Sequence, residues 1–451
     1  FRVRIPACPL IFSAACPLMN ALDLLYIPVA LLTAPWWVFK RRAGWRERFG
    51  KIEPLPARTQ GGGAGHRPRI LLHAVSVGEV AALRYIVPLL AGEADVVIST
   101  TTDSGMWRAR ALYQSSCTVV RYPLDFSWAV ERFLDAVRPD VIGLVELEVW
   151  PNFVRLATRR GIAVGVINGR LSERSARGYR KIRHFFGRSL GRLDFVAAQD
   201  QTYVARFIEL GASAERCCVT GTMKWDAANT PVSEAAAESL AKAMGIDRGL
   251  PLIVAGSTGP TEEALLVEAC PRGAQLLCAP RKPERFDAAA EALAIDGARV
   301  IRRSGGGNAA RVEGRGGASP RFLLDSIGEL SAAYSLATVV VMGRSFNDQY
   351  GSDPIEPIAC GKATVIGPAV ADFSTVVAAL LTQGGIVQSS REELGGVLAT
   401  LVYDAGRRGQ LVEKGLACLA AHRGASARHA ELLLRVARRG REGVVGASLS
   451  Q

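Results

Sequence analysis

Histidine is scarce in this chain, five in 451 residues, and the nine cysteines include no Cys-x-x-Cys pair and no regular spacing with those histidines. The usual zinc-binding patterns are thereby excluded. The cysteines read instead as small buried apolar residues of a reducing compartment. Acidic residues are also short: 42 Asp and Glu against 55 Lys and Arg leave a formal charge of +13. A basic chain of this size suits a polyanionic partner, whether nucleic acid, anionic lipid or a phosphorylated substrate. Aromatics make up only 7%, and no helix-turn-helix, zinc-finger or RNA-binding pattern is present, which argues against nucleic acid. No internal repeat is found. What remains is ordinary globular composition, 49% hydrophobic and 22% charged, in a chain long enough for two or three domains.

The first residue is Phe1, and residues 1–18 carry Cys, Pro and Ala without periodicity, whereas Met19 begins a stretch that reads as a natural start. Residues 1–18 are therefore expected to be upstream sequence or a mis-called leader and are set apart from the fold. Residues 21–39 are almost wholly apolar and end on Trp36 and Trp37, with Lys40, Arg41 and Arg42 following at once. Apolar body, aromatic belt and basic flank predict a membrane anchor over 19–42 with its C-terminal side in the cytoplasm. Asp23, Pro28 and Pro35 leave an interfacial, bent anchor as the alternative to a span.

Beyond the anchor, short apolar runs alternate with helical patterns, predicting βα units and parallel sheets. Strands are expected at 70–74, 95–99, 117–122, 141–145, 163–167, 195–198 and 218–220. After a linker at 226–236, a second series falls at 252–255, 275–279, 299–301, 322–324, 338–342, 363–366 and 385–387. Polar stretches at 58–68 and 302–319 are expected to be mobile loops. The architecture predicted is two consecutive Rossmann-like domains, 43–228 and 240–430, followed by a tail at 431–451, with their strand ends forming one cleft.

Ligands of open α/β sheets bind at the carboxyl ends of strands, so the residues just after each run are the ones placed for chemistry. Glu79 follows the first run and opens an amphipathic helix (Val80, Leu83, Ile86, Val87, Leu90), where it either complements the helix dipole or acts on substrate. Glu146 and Glu148, two apart on an extended chain, leave the fourth run on one side, and Pro151 stops the element. Past Arg170, the residues Arg174, Arg177 and Lys181 recur at helical spacing, either as a solvated face or as a phosphate-binding one. In the second series, Ser257 and Thr258 sit in a small-residue turn before a helix, suited to a phosphate. Arg281, after Pro280, is placed to pair with a phosphate. Glu356 stands at a helix start, where a carboxylate can accept ribose hydroxyls or merely cap the helix.

These segments together resemble the 3-deoxy-D-manno-oct-2-ulosonic acid (Kdo) transferases of lipopolysaccharide synthesis. The resemblance is carried, in family order, by His73-Ala74-Val75-Ser76-Val77-Gly78-Glu79, Ser99-Thr100-Thr101-Thr102, Glu146-Leu147-Glu148-Val149-Trp150-Pro151-Asn152 and Asn168-Gly169-Arg170-Leu171-Ser172-Glu173-Arg174-Ser175. Ala255-Gly256-Ser257-Thr258, Ala279-Pro280-Arg281 and Pro354-Ile355-Glu356-Pro357 continue it in the second half. It implies an α/β GT-B fold, with an N-terminal acceptor domain and a C-terminal CMP-sugar domain, and an enzyme on the cytoplasmic face of the inner membrane. It further implies inverting transfer of Kdo from CMP-Kdo to a lipid A precursor, with no metal and no cofactor. Glu79 would be the general base, Glu146 and Glu148 the acidic pair beside the reaction centre, Arg281 the phosphate contact and Glu356 the ribose contact, with Ser257, Thr258 and Pro280 completing the donor site. Arg170, Arg174, Arg177 and Lys181 are expected to meet acceptor phosphates, a reading from charge alone.

The chain departs from the family pattern at Lys282 and Gly259, where the family usually has His, at Ser352-Asp353 in place of His-Asn, and at Thr222 in place of Asn. The donor contacts therefore differ, and two other readings stand beside the first: a transferase or epimerase of the same fold using another nucleotide sugar such as a UDP-sugar, and a membrane-anchored binding homologue without activity.

Overall fold

The computed structural model describes residues 43–59, 66–229, 233–305 and 321–442, together with positions 20, 22–24, 26–28 and 32. Most of the predicted anchor, all of 1–18, and the greater part of the glycine- and arginine-rich loop lie outside the described residues. Among the described residues no helix is long and apolar enough to cross a membrane.

The chain divides into two compact units, the first running to Met223 and resuming at Gly424, the second spanning Lys224–Arg423. The first is built on strands β1 (Arg69–His73), β2 (Asp95–Thr100), β3 (Thr118–Arg121), β4 (Val141–Val145), β5 (Ala163–Gly169), β6 (Phe195–Ala198) and β7 (Cys217–Val219). All pair in parallel, in the order β3-β2-β1-β4-β5-β6-β7. Continuous apolar runs such as Val141-Ile142-Gly143-Leu144-Val145 form such strands because both faces are covered, and every residue of β1 and β4 is buried.

Helices cover the two faces separately. Phe133, Phe153, Leu190 and Phe207 pack on one side of the sheet. On the other, Val80, Leu83, Ile86, Val87 and Leu90 are all buried, as the amphipathic spacing required. That stretch is not one helix: Val77–Ala82 gives way to a 3-10 turn at Leu83–Tyr85 before Val87–Ala91 resumes. Pro88 accounts for the break, since its missing N–H and its ring are tolerated only in the first turn of a helix.

The second unit holds β8 (Leu252–Thr258), β9 (Gln275–Pro280), β10 (Val300–Arg302), β11 (Arg321–Leu323), β12 (Val339–Met342), β13 (Ala363–Ile366) and β14 (Val387–Gln388). They form a parallel sheet in the order β10-β11-β9-β8-β12-β13-β14. The predicted strands are all present and differ only at their ends.

Two stretches depart from the expected division. The sequence ends the second domain at 430 and leaves a tail, whereas the helix Ala425–Glu442 lies on the first sheet. Its Leu432, Leu433, Leu434 and Ala437 join Ile70, Leu72 and Val141 in one core, where β4 offers the side-chain-free Gly143 beneath Leu433. The predicted linker is also partly structured, with a 3-10 segment over Met223–Asn229. Finally, Asn20, Asp23 and Tyr26, all within the predicted anchor, hydrogen-bond to Ser127 and Asp125 of the first unit.

Candidate active site

In the first sheet the chain runs outward in one direction from β1 and in the other from β4. Their carboxyl ends flank the topological switch point, where open α/β sheets bind ligands. Glu79 follows β1, and Glu146 and Glu148 follow β4, so the fold brings the three acids to this one place.

Glu79 sits in a capping box. Its Oε2 accepts from Val75 N at 2.9 Å and its Oε1 from Ser76 N at 3.3 Å, while Ser76 Oγ accepts from Glu79 N at 3.2 Å. Each carboxylate oxygen keeps a further lone pair. Capping therefore orients this acid without exhausting it.

Glu146 has φ +59, a left-handed backbone that side chains rarely adopt. Glu148 accepts from Trp150 Nε1 at 3.0 Å. Burial pushes the Glu148 carboxyl from its ordinary 4.5 to about 7; the indole hydrogen bond opposes this, and the charges of Glu79 and Glu146 add to it. A carboxyl that titrates near neutrality, in electrostatic contact with two others, is the arrangement acid–base chemistry uses.

The sign of the linkage is definite. The folded state holds the Glu148 proton where the unfolded chain would release it, so this stabilisation is complete below pH 4.5 and is lost as pH rises through about 7. Glu148→Gln removes the cost of the buried charge. The variant should match the wild type below pH 4.5 and exceed its stability at pH 8 by on the order of 2 kcal/mol. Thermal melts across this range check it, and a wild type as stable as the variant at pH 8 would contradict the buried-charge account.

The remaining motif residues of this unit build the scaffold. Thr100 and Thr102 donate to Val75 O at 3.3 and 2.7 Å, pinning the turn before Glu79, and Thr102 also accepts from Gly105 N to start the next helix. A Cβ at Gly105 would lie 2.4 Å from Thr100 Oγ1, so only glycine fits beneath this turn. His73 is fully buried, stacks on Tyr122 with ring centroids 3.7 Å apart, and meets Ser99 Oγ through Nδ1 at 3.0 Å. Burial lowers its pKa to about 3, which keeps it neutral and structural.

Arg170 is half-buried beyond β5. Arg174, Arg177 and Lys181 lie on or just past the helix Glu173–Arg180 and are exposed; Arg177 leans on Glu173 at 3.8 Å. Arg180 is instead occupied by Glu173 and Glu209 at 2.9 and 2.6 Å. The helix borders the acids, because Glu148 raises the pKa of its Tyr179, although burial is the larger cause. The following helix adds Arg183 and Arg188, which with His184 line an open hollow of about 500 Å³.

In the second unit the switch point lies between β8 and β12. Ser257 (φ +58) and Arg344 (φ +59) are both left-handed there. A Cβ on Gly343 would lie 2.5 Å from Ser257 O and from Thr258 Cα, so the two loops abut only because position 343 is glycine. What holds them is a residue that sequence reasoning missed. Glu262, 1% exposed, accepts from Gly259 N and Arg344 N at 2.7 Å through Oε2, and from Ser345 N and Phe346 N at 3.0 Å through Oε1. Its only sequence signal was an acid three residues beyond a small-residue turn, the spacing of a capping pair.

Thr258 Oγ1 is committed to Glu263 at 2.6 Å, and Glu263 is paired with Arg285 at 3.1 Å. Ser257 is nearly buried, Pro280 ends β9, and Arg281 is exposed with its N–H donated to Thr258 O at 3.1 Å. Glu356 lies in the first turn of the helix Ile355–Ala359, half-buried, and accepts from Ser331 Oγ. Burial is the main cause that raises the pKa of Tyr334; Glu356 and Asp353 add to it and Arg281 opposes it, so these groups surround one phenol, whose ring packs on Gly256. The Ser352 hydroxyl is buried beside them with no hydrogen-bond partner among the described residues. Also among the described residues, no group of three or more His, Cys, Asp or Glu is arranged to hold a metal ion.

Residues 43–227 match the family model described as 3-deoxy-D-manno-octulosonic-acid transferase (kdotransferase). The 3-deoxy-D-manno-octulosonic acid transferase of Bordetella pertussis is 32% identical over 88% of this chain and 94% of its own length. That of Haemophilus influenzae is 30% identical over 81% of this chain and 86% of its own. Among solved structures, a glycosyltransferase from Rickettsia africae superposes with a TM-score of 0.54 at 12% identity, covering 82% of this chain and 98% of that one, a likeness of fold. With two parallel seven-stranded sheets and relatives of this extent, the chain belongs to the 3-deoxy-D-manno-octulosonic acid transferases, glycosyltransferases of the GT-B fold.

Proposed function

We propose that this enzyme moves Kdo from CMP-Kdo to a phosphorylated lipid A precursor by a single inverting displacement, with Glu79 as general base. The observation that carries the reading is the convergence of Glu79, Glu146 and Glu148 at the switch point of the first sheet, beside a basic helix. The acceptor hydroxyl gives its proton to the Glu79 carboxylate as its oxygen bonds to the anomeric carbon of Kdo. The bond from that carbon to the CMP phosphate breaks, and CMP leaves with the electron pair. Glu146 and Glu148 are the acidic pair we assign to the surroundings of the reaction centre.

Arg281 and the turn at Ser257-Thr258 are the groups we assign to the CMP phosphate, and Glu356 to the ribose. Arg170, Arg174, Arg177 and Lys181 are assigned to acceptor phosphates. No step in this scheme requires a metal. The apolar stretch 21–39 with Lys40, Arg41 and Arg42 supports attachment to the cytoplasmic face of the inner membrane.

Turnover of CMP-Kdo with a lipid A precursor, in the presence of EDTA, tests the whole reading. Transfer from a UDP-sugar instead, or loss of activity in EDTA, would overturn the donor or the metal assignment. For the ribose role, Glu356→Ala is expected to weaken CMP binding by roughly 10- to 100-fold, the loss of charged hydrogen bonds. Acceptor KM should stay unchanged. Calorimetric titration with CMP beside steady-state kinetics separates the two, and equal losses on both sides would remove the role.

A further inference from the structure

Two helices of the first unit begin without a local cap. Phe126 precedes the helix Ser127–Val137 and Trp150 precedes Pro151–Arg159, and neither side chain accepts a hydrogen bond from the first turn. The open N–H groups of a helix start need partners when buried. Here they are supplied from a distance. Asp23, fully buried, accepts from Ser127 N at 2.9 Å and from Asn152 Nδ2 at 3.0 Å. Asp125 accepts from Asn152 N at 3.0 Å and Phe153 N at 2.8 Å, and its Oδ2 also accepts from Tyr26 OH at 3.0 Å. Asn20 Nδ2 donates to Asn152 Oδ1 and to Ser127 Oγ, both at 2.7 Å.

All of this meets one residue, Asn152, which is fully buried and stands two positions after Trp150. Between them Pro151 fixes the backbone. Trp150 in turn holds the Glu148 carboxylate. A continuous chain of hydrogen bonds and one rigid residue therefore joins the N-terminal segment to the acid pair.

We propose that Asn20, Asp23 and Tyr26 are positioning residues for the acid loop 146–150, so that the N-terminal segment sets catalytic geometry in addition to any role in attachment. The inference rests on the proposed function only in taking Glu146 and Glu148 to act in transfer. A displacement of reacting groups by about 1 Å costs up to about 10²-fold in rate, so a loop held by residues more than a hundred positions away in sequence is a sensitive point.

The test uses full-length Tyr26→Phe, Asp23→Ala and Asp23→Asn in detergent micelles, where attachment to a membrane no longer matters. Asp23→Ala is expected to lower kcat by about tenfold or more with KM for CMP-Kdo unchanged. Asp23→Asn, which keeps an acceptor for Ser127 N, should recover most of that loss. Tyr26→Phe removes a single hydroxyl, leaves folding intact, and should lower kcat by about threefold or more with KM again unchanged.

A second readout does not depend on activity: with 5-fluorotryptophan incorporated, the Trp150 resonance, assigned through Trp150→Phe, should shift or broaden in Tyr26→Phe and Asp23→Ala. Should the wild type fail to transfer Kdo, the functional reading falls while this resonance still decides the positioning role. Wild-type kcat in both variants, or an unmoved Trp150 resonance, would overturn the proposal.

Discussion

Glu79→Gln is expected to lower kcat by about 10²–10⁴-fold, the usual contribution of a general base, with CMP affinity unchanged. Glutamine is the informative substitution because Glu79 has two jobs. Its carboxylate oxygens take the N–H groups of Val75 and Ser76, and alanine at such a position would cost about 0.5–2 kcal/mol of local stability as well as the base. Glutamine retains one acceptor oxygen, the length and the volume, but it cannot take up a proton. A loss of rate at constant melting temperature therefore isolates the chemistry.

The neighbouring acids provide the control. Glu148 already titrates near neutrality, so it is the alternative base within reach of the same site. If Glu79→Gln keeps full transferase activity and Glu148→Gln loses it, the base has been misassigned between two residues of one cluster. Full activity in both would remove general-base catalysis from this cluster altogether.

Glu262→Ala should be the most destabilising single change in the second unit. Four backbone N–H groups converge on this carboxylate from two separate loops. Leaving buried donors unpaired costs about 1–3 kcal/mol each, and partial rescue by relaxation still leaves a loss on the order of 4 kcal/mol. For a unit of this size that lowers the melting temperature by roughly 10 °C. Calorimetry is the measurement, because a two-unit chain need not melt in one transition, and only the transition of the second unit should move. CMP binding should fall with it, since the loops at 257–259 and 343–346 are the ones released. An unchanged thermogram would mean that the loops find other partners and that the carboxylate is not what holds them.

The folding pattern was legible because it is local. A strand covered on both faces must be apolar throughout, so 141–145, 195–198 and 363–366 were read with the bounds they have in the structure. Short edge strands such as β7 and β14 carry few residues and little periodicity, and their limits were displaced. The site was partly legible for the same reason. Strand-end acids announce themselves by position, and Glu79, Glu146, Glu148 and Glu356 all stand at strand ends or helix starts. Glu262, Asp23 and Asp125 did not, because an acid in a helical or apolar stretch looks alike whether it faces solvent or receives N–H groups from segments distant in sequence.

The sequence by itself determined two parallel βα series, an excess of positive charge, the acids at the strand ends and the membership those motifs imply. Only the tertiary structure decided that Glu79 caps its own helix, that burial and two like charges bring the Glu148 pKa near neutrality, that the C-terminal helix covers the first sheet, and that Asn20 and Asp23 hydrogen-bond to Ser127 and Asn152. Periodicity and turn chemistry are properties of neighbours along the chain. Desolvation, electrostatic coupling and remote capping depend on which distant segments the packed chain places within a few ångströms of one another.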